Sequence, residues 1–166
     1  MKAKLFVGMM YSNIEHYNKA IELLEKDFGE IELEGEEFDF NFTKYYEKEM
    51  GKNLKKRFVL FKKPIDRVEL PDIKLQTIKL EEKSRKNGKR QVNIDPGYIT
   101  LNNVIVASTK ELPHRIYLNK GIFADLLLLL KKKDVIPFKH TFTDYEQSKD
   151  FFLKARQKMI TSNSQQ

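Results

Sequence analysis

A chain of 166 residues, 40% hydrophobic and holding twelve Phe, suits one domain with a core of ordinary size. It has no Cys, which excludes a disulfide framework, a thiolate nucleophile and a cysteine-built metal site, and which suits a reducing cytoplasm. The net charge of +7 is uneven: residues 1–42 hold four Lys against ten Asp or Glu, and the remainder holds 27 cations against 14 carboxylates, so the basic part is read as facing an anionic partner or as a solvated Lys-rich surface.

Leu5 to Met10 is continuously apolar, as in a strand buried on both faces. It is too short to span a bilayer, and so is the leucine run Leu126–Leu130, so a membrane is excluded as a partner. Ser12 opens S-N-I-E, a capping box, and Ile14, Tyr17, Ile21, Leu24 and Phe28 then share one helical stripe that Gly29 ends. Ile31 and Leu33, then Phe38, Phe40 and Phe42, alternate as strands do, with Gly35 between them as a bulge. A short helix is expected over Thr43–Met50 and a strand over Lys56–Phe61, ended by Pro64. A helix opened by Pro71 carries Ile73, Thr77 and Leu80 and stops at Asn87-Gly88, and Gln91–Asp95 reads as a strand. Further strands are expected near Val104–Ala107, Arg115–Leu118, Ile122–Leu130 and Val135–Phe138, with a hairpin turn at Asn119-Lys120-Gly121. T-D-Y-E from Thr143 is a second capping box, and Phe152, Ala155 and Met159 give the last helix its apolar side.

The fold expected from this order is a single α+β domain over residues 1–160. A mostly antiparallel sheet carries helices on one face, with a ferredoxin-like βαββαβ start, a C-terminal hairpin extension and a terminal helix; residues 161–166 form a disordered tail.

Polar residues that strands rarely carry cluster between Lys89 and Gly121. In D-P-G-Y, Pro96 and Gly97 fit the centre of a type II turn with Asp95 bonding its backbone; the functional reading makes Asp95 a strand-end carboxylate that serves as a base or binds a ligand hydroxyl or a hydrated cation. His114 and Arg115 offer a titrating ring and a fork for phosphate or carboxylate, which Lys110 and Lys120 can join if the strands return antiparallel. Adjacent strand residues point to opposite faces, so both line one cleft only if the chain bends.

Leu5-Phe6-Val7-Gly8 and Phe58-Val59-Leu60-Phe61 resemble the strand motifs of RNA-recognition domains, in which Phe6 and Phe58 would stack bases. Lys56 stands where a third aromatic belongs, and core packing is the preferred reading. Glu30, Glu32 and Glu34 read as a solvated edge face. The three His, at 16, 114 and 140, show no metal-ligand spacing, and no metal is expected. No P-loop, G-x-G-x-x-G or G-x-S-x-G is present.

The strings F-T-K-Y-Y-E-K-E-M-G (Phe42–Gly51), K-R-Q-V-N-I-D-P-G-Y (Lys89–Tyr98) and A-S-T-K-E-L-P-H-R-I-Y-L-N-K-G-I (Ala107–Ile122) resemble the bacterial domain of unknown function 4416 family. The resemblance implies a small cytoplasmic bacterial protein and no particular activity or cofactor. It directs attention to Tyr45, Tyr46, Glu47, Asn93, Asp95, Tyr98, His114, Arg115 and Lys120; Lys44 stands where the family leads one to expect an acid.

The reading that follows is a basic pocket for a small anionic ligand carrying phosphate or carboxylate. Asp95 and His114 would move protons, and Tyr46, Glu47, Asn93, Tyr98, Arg115 and Lys120 would bind. The alternatives are a nucleic-acid module built on the basic body with Phe6 and Phe58, and a protein-interaction module with an apolar patch at Leu126–Leu130.

Overall fold

A computed structural model describes residues 1–163. Its elements run β1 (Lys2–Tyr11), α1 (Ile14–Phe28), β2 (Ile31–Glu34), β3 (Phe38–Asp39), α2 (Glu47–Met50), β4 (Lys55–Asp66), α3 (Leu70–Lys83), β5 (Val92–Ile99), β6 (Asn103–Ser108), β7 (Ile116–Asn119), β8 (Ile122–Leu130), β9 (Val135–Pro137), α4 (Thr143–Gln147) and α5 (Lys149–Asn163). Among the described residues nine strands form one sheet in the order β2-β4-β1-β5-β6-β8-β7, with β3 on β4 and β9 on β8. Every pairing is antiparallel, so the class is α+β as expected. β4 lies between the parallel strands β1 and β2, and β1 lies between the parallel strands β4 and β5, giving two split β-α-β units.

The apolar run of β1 explains its central place. Leu5, Val7, Met9 and Tyr11 pack on one side against Tyr17 and Leu24 of α1 and Ile73 and Leu80 of α3. Phe6 points the other way, into Phe58, Tyr145, Phe152 and Ala155. The helices therefore cover both faces of the sheet, not the single face expected, because α4 and α5 must cap the second apolar side of β1 and β4. Helix α5 extends through Asn163, so the expected frayed tail begins with helical residues, and its remainder, 164–166, lies outside the described residues. No helix among the described residues is long and apolar enough to cross a membrane.

Three local expectations differ. Asn13, not Ser12, caps α1, its side chain accepting from the Glu15 amide. β4 continues through Pro64, which faces Lys4 beside the register shift between Lys4 and Phe6. D-P-G-Y is not a turn: Asp95 to Tyr98 lie inside β5, facing Gly8, Val7, Phe6 and Leu5 of β1 in register.

Gly97 is required there for space. A Cβ would stand 2.3 Å from the Ile105 carbonyl oxygen and 2.4 Å from Phe6 Cζ. Pro96 has a second consequence. The Thr100 amide donates to Asn103 on the β6 side, and the two-residue alternation turns position 96 to that side too. Proline has no N–H to offer, and pairing with β6 stops at Gly97–Val106. Residues 92–95 of β5 pair with β1 alone, and β6 diverges from them.

Candidate functional site

The divergence of β5 and β6 opens a cavity of about 860 Å³, walled by α3, α4, the segment 40–49 and residues 106–115. Its size lies in the range of small-ligand pockets. Asn93, Asp95, Tyr46 and Arg115, expected as site residues, all line it, as do Tyr45 and Lys110. Asn93 and Asp95 reach it because Val92 and Ile94, the alternate positions of β5, take the opposite, core face.

Asp95 sits in a chain of polar contacts. Lys74 Nζ donates to its Oδ1 at 3.2 Å and Asn93 Nδ2 to its Oδ2 at 2.7 Å. The Asn93 oxygen in turn accepts from Arg90 Nη1 at 2.9 Å. Arg90 grips Glu49 with Nε and Nη2, at 2.8 and 2.9 Å, and reaches Glu81 with Nη1 at 2.7 Å. Burial raises the Asp95 carboxyl, but Lys74, Lys56 and the Asn93 bond outweigh it and hold the group below the usual range. Its side chain keeps 30% of its surface open, so this charged acceptor faces the hollow.

Glu81 behaves oppositely. Burial, and then the neighbouring Asp95 charge, push it up to about 7 despite Lys74 and Arg90. The folded protein therefore holds this proton more tightly than the unfolded chain between pH 4.5 and about 7. Stability from this group is complete below pH 4.5 and falls as the pH rises through 7. Urea melts across that window should show wild type losing as much as about 3 kcal/mol relative to Glu81→Gln. Parallel pH profiles for the two proteins would contradict the assignment.

Among the described residues six cations and five carboxylates line the cavity, so it is nearly balanced rather than strongly basic. Most charges are mutually engaged. Lys56 pairs with Asp144, both buried, and lies over the rings of Phe40, Phe58 and Tyr145. Arg115 donates to Asp125 at 2.8 Å, to Ser108 at 2.7 Å and to the Lys110 carbonyl at 2.9 Å. Lys110 has no carboxylate partner among the described residues; its Nζ lies 3.3 Å from the Tyr45 hydroxyl and over that ring. Phe40, Tyr46, Phe142 and Tyr145 supply aromatic wall, and the buried Tyr145 Oη has no hydrogen-bond partner among the described residues. Burial, then the Asp95 charge, pushes the Tyr46 phenol up to about 12, so both phenols stay protonated donors at neutral pH.

Four expected site residues fall outside the cavity lining. Tyr98 alternates to the face opposite Asp95, where Arg67 covers its ring and Leu70, Ala107 and Ile122 surround it. Lys120 occupies the tip of the β7–β8 hairpin and pairs with exposed Asp72 at 2.5 Å. Glu47 opens α2 beside Tyr46 without lining the hollow. His114 is turned from it and stacks on His140 at 4.1 Å between centroids; the chain bend at residues 112–115 lets Arg115 face the cavity instead.

The residues that sequence reasoning missed include Lys74, Glu81, Arg90, Asp125 and His140. Lys74 and Glu81 were legible as two charges seven residues apart beside the apolar stripe of α3. Arg90 sits inside the string K-R-Q-V-N-I-D-P-G-Y, three residues before Asn93. Nothing local marks Asp125, which stands in an apolar strand.

Comparison with curated proteins and with solved structures finds no match to this chain. Residues 1–159 match the family described as Domain of unknown function (DUF4416), the one whose strings frame Tyr46, Asn93, Asp95 and Arg115 around the hollow, and the chain belongs to that family.

Proposed function

We propose that the cavity binds a small anion that also carries hydroxyl or amino groups, of the size of a nucleotide or sugar phosphate. The observation that carries this reading is Asp95, a charged carboxylate open to an aromatic-walled hollow of about 860 Å³. A charged carboxylate accepts hydrogen bonds only, so the ligand brings the donor. Lys110, free of any carboxylate among the described residues, takes the ligand's anionic group. The near balance of wall charges favours one anionic group over a polyanion. Proton transfer to such a ligand falls to Glu81, which titrates near 7, rather than to Asp95, which stays charged, or to His114, which lies outside.

Thermal-shift measurements with nucleoside monophosphates, nucleoside diphosphates and sugar phosphates test this. At least one should raise Tm at millimolar concentration, and Lys110→Ala should abolish the rise while Lys120→Ala keeps it. No response from any compound, or a response that survives both Lys110→Ala and Asp95→Asn, would defeat the reading.

The nucleic-acid alternative loses its base-stacking residues and keeps only the basic surface, since Phe6 and Phe58 are 0% and 1% exposed beneath α4 and α5 and no base can reach them. The interaction alternative loses its patch, because Leu127, Leu128 and Leu130 are buried; exposed apolar side chains stand instead at Ile116, Tyr117 and Leu118 of the edge strand β7. The absence of Cys and the family resemblance support a bacterial cytoplasmic setting. The order β2-β4-β1-β5 supports the ferredoxin-like description of the first half.

A further inference from the structure

Behind the Arg115 wall of the cavity lies a second cluster that shares no histidine with it. His114, Asp125 and His140 each offer one ligand atom, and these atoms lie within 4.8 Å of one another. His114 Nε2 is 3.5 Å from Asp125 Oδ2, and His140 Nε2 is 3.5 Å from Asp125 Oδ1. The three come from separate places: the bend before β7, the middle of β8, and the turn after β9. Only sheet pairing brings them together, which is why their spacing of eleven and fifteen residues carries no sequence signal.

Asp125 is the unusual member. It is 0% exposed in a strand otherwise made of apolar residues. Arg115 Nε, 2.8 Å away, satisfies Oδ2. Oδ1 is buried and has no hydrogen-bond partner among the described residues. His140 Nε2, 3.5 Å from Oδ1, engages the Leu126 carbonyl at 2.9 Å instead. A buried carboxylate oxygen with no partner is costly and calls for an explanation. The His140 imidazole stands 3.5 Å from that oxygen and the His114 imidazole 3.5 Å from Oδ2, and neither is sealed from water: their side chains are 27% and 31% exposed.

We infer that His114, Asp125 and His140 form a binding site for a divalent transition-metal ion, with Asp125 Oδ1 as the oxygen ligand. Two nitrogens and one carboxylate oxygen suit zinc, iron(II), cobalt or nickel rather than calcium or magnesium, which prefer oxygen alone. Ligands about 2.1 Å from a tetrahedral ion stand roughly 3.4 Å from each other. The His140 Nε2–Oδ1 separation of 3.5 Å already meets that requirement, whereas His114 Nε2 stands 3.5 Å from Oδ2 and has to shift toward Oδ1. The imidazoles now stack with 23° between their planes, so both rings must turn for their nitrogens to converge, and His140 must release the Leu126 carbonyl. Phe138, stacked on the far side of His140 at 5.3 Å, limits how far that ring turns.

Arg115 has two opposed effects. Its charge repels a cation, yet its bond to Oδ2 fixes the carboxylate and leaves Oδ1 toward His140, as outer partners of metal ligands do. Three protein ligands leave the remaining positions open to water on the exposed side, the arrangement of sites that exchange ligands rather than purely structural ones.

Equilibrium dialysis of the metal-stripped full chain against zinc(II), with metal counted by atomic emission, tests the site. A cobalt(II) titration followed by visible absorption adds a signature of ligand geometry. One metal per chain is expected, with cobalt bands of nitrogen-and-oxygen tetrahedral or five-coordinate type. His140→Ala and the double variant His114→Ala/His140→Ala should weaken binding at least tenfold, while His16→Ala should leave it unchanged. Both histidines are partly exposed, so the variants should fold, and a circular-dichroism melt verifies this. Substoichiometric metal on the wild-type chain, or equal binding by the double variant, would overturn the assignment and leave the pair as a stacked cover over Asp125.

Discussion

Replacing Gly97 with Ala should destabilise the protein by about 3 kcal/mol or more, at the upper end of overpacking effects. The added methyl would meet the Ile105 carbonyl at 2.3 Å and the Phe6 ring at 2.4 and 2.6 Å. Phe6 cannot swing away, since Phe58, Tyr145 and Phe152 enclose it with centroids 5.4 to 6.3 Å distant. The Ile105 carbonyl belongs to a paired strand, so the backbone itself would have to move. Chemical denaturation should show a lower midpoint. Gly51→Ala is the comparison: a Cβ there meets nothing within 4 Å, and only its φ of 87° adds strain, so about 1 kcal/mol is expected. A Gly97→Ala loss no larger than that of Gly51→Ala would mean that β5 and β6 are less closely apposed than described.

Breaking the Lys56–Asp144 pair from the carboxylate side should cost about 3–5 kcal/mol. Both side chains are only 6% exposed, and the ammonium lies 5.1 to 5.6 Å from the centroids of Phe40, Phe58 and Tyr145. Asp144→Ala would leave a buried cation among rings without its hydrogen-bonded partner, with the Asp95 charge acting only from a longer distance. The ring faces attract the ammonium but do not replace a carboxylate. The double variant Lys56→Met/Asp144→Leu removes both charges and should recover most of the loss, because an apolar pair of similar volume avoids the desolvation of two ions. Urea unfolding of the two variants beside wild type separates these effects. A single-variant cost under 1 kcal/mol would show that water reaches the ammonium. A double variant as weak as the single one would show that the loss is a packing defect.

The elements were legible where pattern and length agreed. The two-sided apolar run of β1, the stripe of α1 and the nine residues of β8 needed no tertiary information. D-P-G-Y misled because Pro-Gly preferences describe isolated turns, whereas here Pro96 ends a ladder and Gly97 admits a neighbouring ring and carbonyl. The same strand then explains the mixed outcome at the site. Residues 93 and 95 share a face by alternation, so Asn93 and Asp95 reach the cavity together, while Tyr98 is carried to the other side. Lys120 looked like a ligand for an anion but is set at a hairpin tip by its neighbours Asn119 and Gly121. His140 and Asp125 could not be read, since their meeting depends on the β8–β9 pairing, which no local residue pattern announces.

One imino acid, Pro96, decides that the two middle strands part. That decision is written in the main chain and does not depend on which side chains decorate the walls. Exchanging Lys110, Tyr45 or Arg85 would retune what the recess accepts and leave its aperture intact. A residue with an amide at position 96 would instead offer β6 the donor that lets the ladder continue past Gly97–Val106 and narrow that opening.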